Sequence, residues 1–308
     1  NPNTIRRTKE MAQITASDVK KLREITGAGM MDCKKALNEV GGDMDAAVDH
    51  LRKKGLSAAS KKAGRVAAEG IVLAMSEGCT GVVVEVNSET DFVSKNDKFR
   101  SFVKDLAELI IRENPTDVAA LRQLSFDDEH TVEQALSQLI AAIGENMNIR
   151  RFERIEVADG VVAAYVHGIG KIGVLAGIRG KASDALQEIS RGIAMHVAAA
   201  NPQYISRGDV PADVVDRERA VLSERAAASG KPEHIIEKIV SGQLNKFYAD
   251  ICLLEQNFVM DTDHTVAQAL AGVQADAEVV AMARFQLGEG IEKEESDFAS
   301  EVAAQVHG

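Results

Sequence analysis

The sequence predicts an α+β protein of several units. These are a three-helix N-terminal module, two duplicated antiparallel-sheet-plus-helix core subdomains, an inserted helical hairpin and a C-terminal helix. Three observations predict it. Short amphipathic runs punctuated by glycine open the chain. A β-rich run recurs: Ala68-Glu69-Gly70-Ile71-Val72-Leu73-Ala74 returns as Ala158-Asp159-Gly160-Val161-Val162-Ala163-Ala164. Each copy is followed by a helix-period run that stops at an Asn-Pro.

Composition bounds the rest. The 308 residues suffice for about two compact domains. Lys and Arg number 36 against 47 Asp and Glu, a net charge of −11, which argues against nucleic acid as the main ligand. Hydrophobic residues make up 45% but aromatics only 4%, so the cores must be aliphatic. Cys33, Cys79 and Cys252 are too scattered for a disulfide framework or a zinc site. Reduced thiols fit a cytoplasmic protein. No apolar run approaches the roughly 18 residues of a membrane span, and the start lacks a signal peptide's apolar region. Residues 1–10 read as a leader or an expression remnant, with Met11 the natural start.

The N-terminal module covers residues 11–55. Thr15 and Ser17 offer caps to a helix over Asp18–Thr26, with Val19, Leu22 and Ile25 on one face and Gly27 as a stop. A second helix, Met30–Val40, ends at Gly41-Gly42. Asp43 caps a third, Met44–Lys54, with Ala47, Val48 and Leu51 inward and Gly55 beyond it. Three short helices of this kind resemble a ubiquitin-associated (UBA-like) module, which binds more often than it catalyses. Residues 56–68 are expected to be a linker, helical in part. Its Lys/Arg-rich Ser57–Ala68 is better read as a solvated face than as a nucleic-acid patch.

The first core subdomain takes residues 69–157. Gly81–Val86 is its second β-run, and Phe99, Phe102, Val103, Leu106 and Ile110 mark its helix. Val118–Ile143 is helical in pattern, and Met147–Val157 reads as a strand. The second subdomain takes residues 158–205 and 252–287. Gly173–Ile178 is its second β-run, and Leu186, Ile189, Ile193 and Val197 mark its helix. The inserted hairpin, residues 206–251, pairs Pro211–Ser229 with His234–Ile251. Its apolar stripe could pack locally or serve self-association. Phe258–Asp261 is expected to be extended, Val266–Leu270 a short helix, and Val279–Leu287 a strand returning to the second subdomain. Residues 288–308 read as a C-terminal helical module.

Catalytic signatures are scarce. Gly168-Ile169-Gly170-Lys171-Ile172-Gly173 matches G-x-G-x-x-G, but a strand follows where a dinucleotide site needs a helix, so a hairpin turn is the better reading. There is no phosphate loop, no metal-spaced histidine pair and no nucleophile elbow. This inventory favours a binding protein. A thiol enzyme using Cys33, Cys79 or Cys252, a helical adaptor and a structural protein are the competing classes. After the strand ending at Asn87, the polar loop Ser88–Asp97 holds Phe92 and Val93. From pattern alone Phe92 is expected to fold back onto the core; the other outcome is an exposed anchor for a partner's pocket. Met30 and Met31 point about 100° apart on a helix, so one is expected packed and one exposed. His167 reads as a strand-end hydrogen-bonding residue.

Two longer runs resemble a known family. Leu22–Leu37 (LREITGAGMMDCKKAL) is similar to the N-terminal signature of translation elongation factor Ts. Glu85-Val86-Asn87 followed by Thr90-Asp91-Phe92-Val93 is similar to its second signature, with Ser88-Glu89 where the family typically has Cys-Gln. Ile143–Asn146, His167-Gly168, Lys171–Leu175, Phe258–Met260 and Gly288–Glu292 follow in the family's order. The resemblance implies a guanine-nucleotide exchange factor for elongation factor Tu, with no catalytic residues and no cofactor of its own. It implies that Phe92 enters an apolar pocket of the partner's nucleotide-binding domain, with Asp91 beside it. It further implies partner contacts at Arg23, Met30, Met31 and Lys34, and at Ile143, Gly144, His167, Val259 and Met260. The C-terminal module is expected to reach the same domain.

Overall fold

A computed structural model describes residues 14–26 and 28–292. The expected leader, the Gly27 stop and residues 293–308 of the expected C-terminal helix lie outside the described residues.

Three helices come first: α1 (Ala16–Thr26), α2 (Met30–Glu39) and α3 (Met44–Lys62). Thr15 and Asp18 cap α1 reciprocally: the Asp18 N–H donates to the Thr15 hydroxyl at 3.2 Å and the Thr15 N–H to the Asp18 carboxylate at 2.9 Å. Asp43 caps α3 by accepting from the Ala46 N–H at 2.9 Å. Val19, Leu22, Cys33, Ala36, Leu37, Ala47 and Leu51 close a small core between them. Two expectations fail here. Ile25 is exposed, because the buried face of α1 runs through Val19, Leu22 and Thr26. Thr26 is accommodated there by donating its hydroxyl to the Leu22 carbonyl at 2.7 Å. And α3 does not stop at Lys54. It runs through Gly55 to Lys62, because Gly55 is buried against a neighbouring helix, where a Cβ would lie 3.6 Å from the Ser137 carbonyl oxygen. A mid-helix glycine costs about 1 kcal/mol; close helix contact offsets it.

The first sheet consists of β1 (Glu69–Glu77), β2 (Thr80–Ser88) and β3 (Met147–Glu156), antiparallel in that order. Between β2 and β3 lie α4 (Asp97–Glu113), α5 (Val118–Gln123) and α6 (Val132–Ile143). The helical span expected over Val118–Ile143 is therefore two helices. The Asp127 carboxylate accepts from the N–H groups of Glu129 and His130 at 2.8 and 2.7 Å, giving the backbone an alternative to helix. A Thr131–Gln134 capping box then starts α6.

The second sheet is β4 (Gly160–His167), β5 (Ile172–Arg179) and the returning strand Glu278–Gln286, with α7 (Asp184–Ala200) after β5. The helical hairpin follows as α8 (Ala212–Ala227) and α9 (Glu233–Ile251). Its stripe packs between the two helices through Leu222, Ala226, Val240 and Leu244. Then come β6 (Asn257–Phe258), β7 (Asp261–Thr265), α10 (Val266–Val273) and the returning β8 (Glu278–Gln286). Phe258–Asp261 is not one extended piece. Phe258 and Asp261 pair across a hairpin whose tip is Val259-Met260. Residues 288–290 form a turn, and 291–292 are not helical.

Both copies of the repeated sequence open an antiparallel strand pair that a long helix follows. Helices α4 and α7 both end on an Asn in the left-handed region, Asn114 at φ +48° and Asn201 at φ +49°. The following prolines disfavour helix at both, and Asn tolerates the left-handed turn. The sheets stack face to face through Val72, Ala74, Val83, Ile155 and Val157 on one side and Val162, Leu175, Ala283 and Phe285 on the other. At the crossing, Gly81 is the second residue of β2 and Gly173 the second of β5. A Cβ on Gly81 would lie 2.6 Å from Val162 Cγ1; one on Gly173 would lie 2.6 Å from Val72 Cγ1. The clashes are reciprocal, each glycine meeting a valine of the opposite sheet. Helices α4 and α7 cover the outer faces.

Candidate partner-binding surface

Phe92 lies on a single 3-10 turn, Asp91–Lys95, between β2 and α4. Its side chain is 74% exposed, contrary to the fold-back expected from pattern. A 3-10 turn sets successive side chains about 120° apart. With Val93 buried in the core, Phe92 must point out. The turn itself is held firmly. The Glu145 carboxylate accepts from the Thr90 N–H at 2.9 Å and from its hydroxyl at 2.6 Å. The Ser94 hydroxyl donates to the Asp91 carbonyl at 2.6 Å, and Asn96 caps α4 through the N–H groups of Lys98 and Phe99. Glu89 accepts from the Asn146 N–H and faces Arg65. An apolar ring is thus displayed on a rigid mount, with the Lys95 ammonium 5.9 Å from its centroid.

Glu145 follows Ile143 and Gly144, so the Phe92 turn and the end of α6 form one corner. Gly144 terminates α6 at φ +91° and is exposed; Ile143 is half-buried. The α1–α2 junction borders the same corner. A cleft of about 400 Å³ is lined by Thr26, Asp97, Lys98, Phe102, Gln138 and Ala142. Arg23, Met30, Met31 and Lys34 all stand exposed on this junction. The expected split between the two methionines does not occur: they are 53% and 76% exposed. Met31 falls opposite the buried Cys33 and Leu37, and Met30 precedes the point where that buried face begins.

His167 ends β4 on the other flank of α4, with its Nδ1 3.1 Å from the Tyr165 hydroxyl, as a strand-end residue should. The glycine-rich run after it is the β4–β5 turn, with Gly168 and Gly170 at positive φ. Val259 and Met260 belong to a different place. Their hairpin tip sits on α7, on the opposite outer layer, where the Val259 N–H donates to His196 Nδ1 at 3.1 Å. Sequence reasoning missed Glu145 and Ile169. Nothing local could have joined Glu145 to Thr90, whereas an isoleucine inside a glycine turn is a legible signal, and Ile169 is indeed exposed.

Among the described residues no group of three or more His, Cys, Asp or Glu could hold a metal ion. Burial pushes the Cys33 thiol up and the Cys252 thiol up to about 11, away from the lowered value a nucleophilic thiol needs. No helix of the described residues is long and apolar enough to cross a membrane.

The family model described as elongation factor TS matches residues 89–289. A protein named elongation factor Ts from Magnetococcus marinus is 53% identical over 301 residues, covering 96% of this chain and 99% of its own. One from Rhodospirillum rubrum is 54% identical over 308 residues, and one from Syntrophotalea carbinolica 51% over 301, each again covering 96% and 99%.

Proposed function

This chain belongs to the elongation factor Ts family, a family of translation elongation factors and not of catalytic enzymes, and from that premise we propose that it releases GDP from elongation factor Tu. The observation that carries the reading is Phe92: a large ring exposed to water on a hydrogen-bonded mount. Exposing such a ring forgoes its burial, about 1.5–3 kcal/mol, unless a partner covers it.

The mechanism is linkage. The factor binds nucleotide-free partner better than nucleotide-bound partner, so its binding weakens nucleotide by the same factor. Phe92 acts as a wedge in an apolar pocket of the nucleotide-binding domain, with Asp91 beside it, and disturbs the phosphate and Mg²⁺ site without touching the nucleotide. Reciprocity makes the complex transient, since GTP weakens it in turn. Arg23, Met30, Met31 and Lys34 of the UBA-like module, with Ile143 and Gly144, extend the contact around the Phe92 corner. His167, Val259 and Met260 engage the partner elsewhere. Met is well suited to such a surface because its thioether adapts to irregular shapes. The proposed division keeps the two core subdomains and the inserted hairpin but extends the first module's last helix to Lys62, and the work is assigned to the cytoplasm.

The test is release of fluorescent GDP from elongation factor Tu with catalytic amounts of the protein. Multiple-turnover acceleration is expected. Binding without acceleration would overturn the exchange reading and leave an adaptor.

A further inference from the structure

The β6–β7 hairpin has little of its own to hold its tip in place. Its ladder is short, with Asn257 opposite Thr265 and Phe258 opposite Asp261, and its two-residue loop is Val259-Met260. Two-residue hairpin loops favour turns with positive φ, filled by Gly, Asn or Asp, because these match the twist of the strands. Neither Val259 nor Met260 has a positive φ. A two-stranded hairpin is also marginal by itself in water. Yet this one displays two apolar side chains at its tip, Val259 at 47% and Met260 at 61% exposure.

The support comes from one face of α7, where Gly192 and His196 stand one turn apart. A Cβ on Gly192 would lie 2.9 Å from Phe258 Cζ and 3.7 Å from Met260 Cγ, so the missing side chain lets the hairpin sit down on the helix. His196 is buried beside it, its ring centroid 6.0 Å from that of Phe258. Its Nδ1 accepts from the Val259 N–H at 3.1 Å. A neutral ring whose Nδ1 accepts carries its proton on Nε2, which then donates to the Gln256 side-chain oxygen at 2.9 Å. Gln256 is buried too, and its amide donates to the Asp250 carbonyl at 2.8 Å, in the last turn of α9. Each donor along this line meets an acceptor, from the tip backbone through the imidazole to the end of α9.

We propose that His196 is the positioning residue for the Val259-Met260 tip: as its Nε2–H tautomer, braced through Gln256 on the end of α9, it fixes the tip backbone so that both apolar side chains are presented to the partner preformed. That the tip meets elongation factor Tu rests on the exchange reading; that His196 holds the tip does not. Preforming a contact raises affinity by removing the ordering cost at binding. It does not alter what the Phe92 wedge does once bound.

The experiment compares His196→Gln with His196→Asn in the full chain. Gln carries its amide at the reach of Nε2, which keeps a donor for Gln256 but removes the acceptor for Val259. Asn carries an acceptor oxygen on Cγ, where histidine has Nδ1, and keeps it. Hydrogen exchange of the Val259 amide, relative to that of Val174, is expected to quicken about three- to tenfold in His196→Gln, the scale of one lost neutral hydrogen bond, and to return towards the wild type in His196→Asn. In GDP-release titrations the half-saturating concentration is expected to follow the same order, with the maximal rate unchanged. Unchanged Val259 exchange in His196→Gln would overturn the proposal. Equal effects of the two variants, or a fall in maximal rate at unchanged half-saturation, would do the same. Should neither variant fold, Gly192→Ala, which pushes Phe258 off α7, is expected to raise half-saturation alone, and unchanged half-saturation there would count against the proposal. If the wild type does not accelerate release, the exchange reading fails by itself, and the Val259 amide still decides whether His196 holds the tip.

Discussion

Glu145 grips Thr90 twice, through the backbone N–H at 2.9 Å and the hydroxyl at 2.6 Å, and so ties the end of α6 to the turn that displays Phe92. Hydrogen bonds to a charged acceptor are worth about 1.5–3 kcal/mol. Glu145→Ala should destabilise the turn by about that amount and leave the stacked sheets intact. Faster hydrogen exchange at Thr90 with unchanged exchange at Val174 is the expected pattern. Equal acceleration at both would mean that the bond supports the whole fold.

Phe92→Ala should leave stability within about 0.5 kcal/mol, because the ring is exposed. Nucleotide release should slow by roughly 30-fold or more, the scale of a hot-spot aromatic at about 2 kcal/mol or above. Stopped-flow release and thermal melting of the same preparation check both halves. Wild-type release in this variant would remove the wedge.

The sheet crossing sets up a contrasting pair. Gly81→Ala drives a methyl to within 2.6 Å of Val162 Cγ1 and should cost about 1–3 kcal/mol in urea unfolding. Gly242→Ala, on exposed α9 with nothing within 4 Å, should stabilise by about 0.5–1 kcal/mol. Two changes of the same sign would contradict the packing described.

His196 supplies a pH dependence. Burial holds its pKa below the ordinary 6.5, while Gln256 opposes the shift. Its Nδ1 must be unprotonated to accept from Val259, and its Nε2 lies 2.9 Å from the Gln256 side-chain oxygen. The folded state thus binds fewer protons than the unfolded one. The contribution is fully present above pH 6.5 and is lost as pH falls from there through the lower folded value, at up to about 1.4 kcal/mol per unit. Urea unfolding at about pH 7 and about pH 5 should show a steeper loss for the wild type than for His196→Gln. Parallel losses would mean that another group carries the dependence.

Much of the fold was legible because its signals are local. The caps at Thr15 and Asp43, the Asn-Pro stops and the returning strand over Val279–Leu287 all follow from spacing. The break between α5 and α6 was not, because it depends on one aspartate winning its neighbours' backbone N–H groups. The outward direction of Phe92 followed from the family resemblance and not from its pattern, since an apolar residue in a polar loop more often turns inward.

By itself the sequence determined the caps and the Asn-Pro stops, because these depend on hydrogen bonds and side-chain spacing within a dozen residues. Tertiary structure decided what each face meets. Gly55 became a helix contact instead of a helix end because α6 lies over it. Met30 and Met31 both stayed outside because the buried face of α2 starts after Met30 and lies opposite Met31. Glu85 is buried on Arg150, Arg151 and the Gly288 amide, while Gly177 at the matching point of the second sheet is packed against Val157 and Ile155, because the two sheets meet different neighbours.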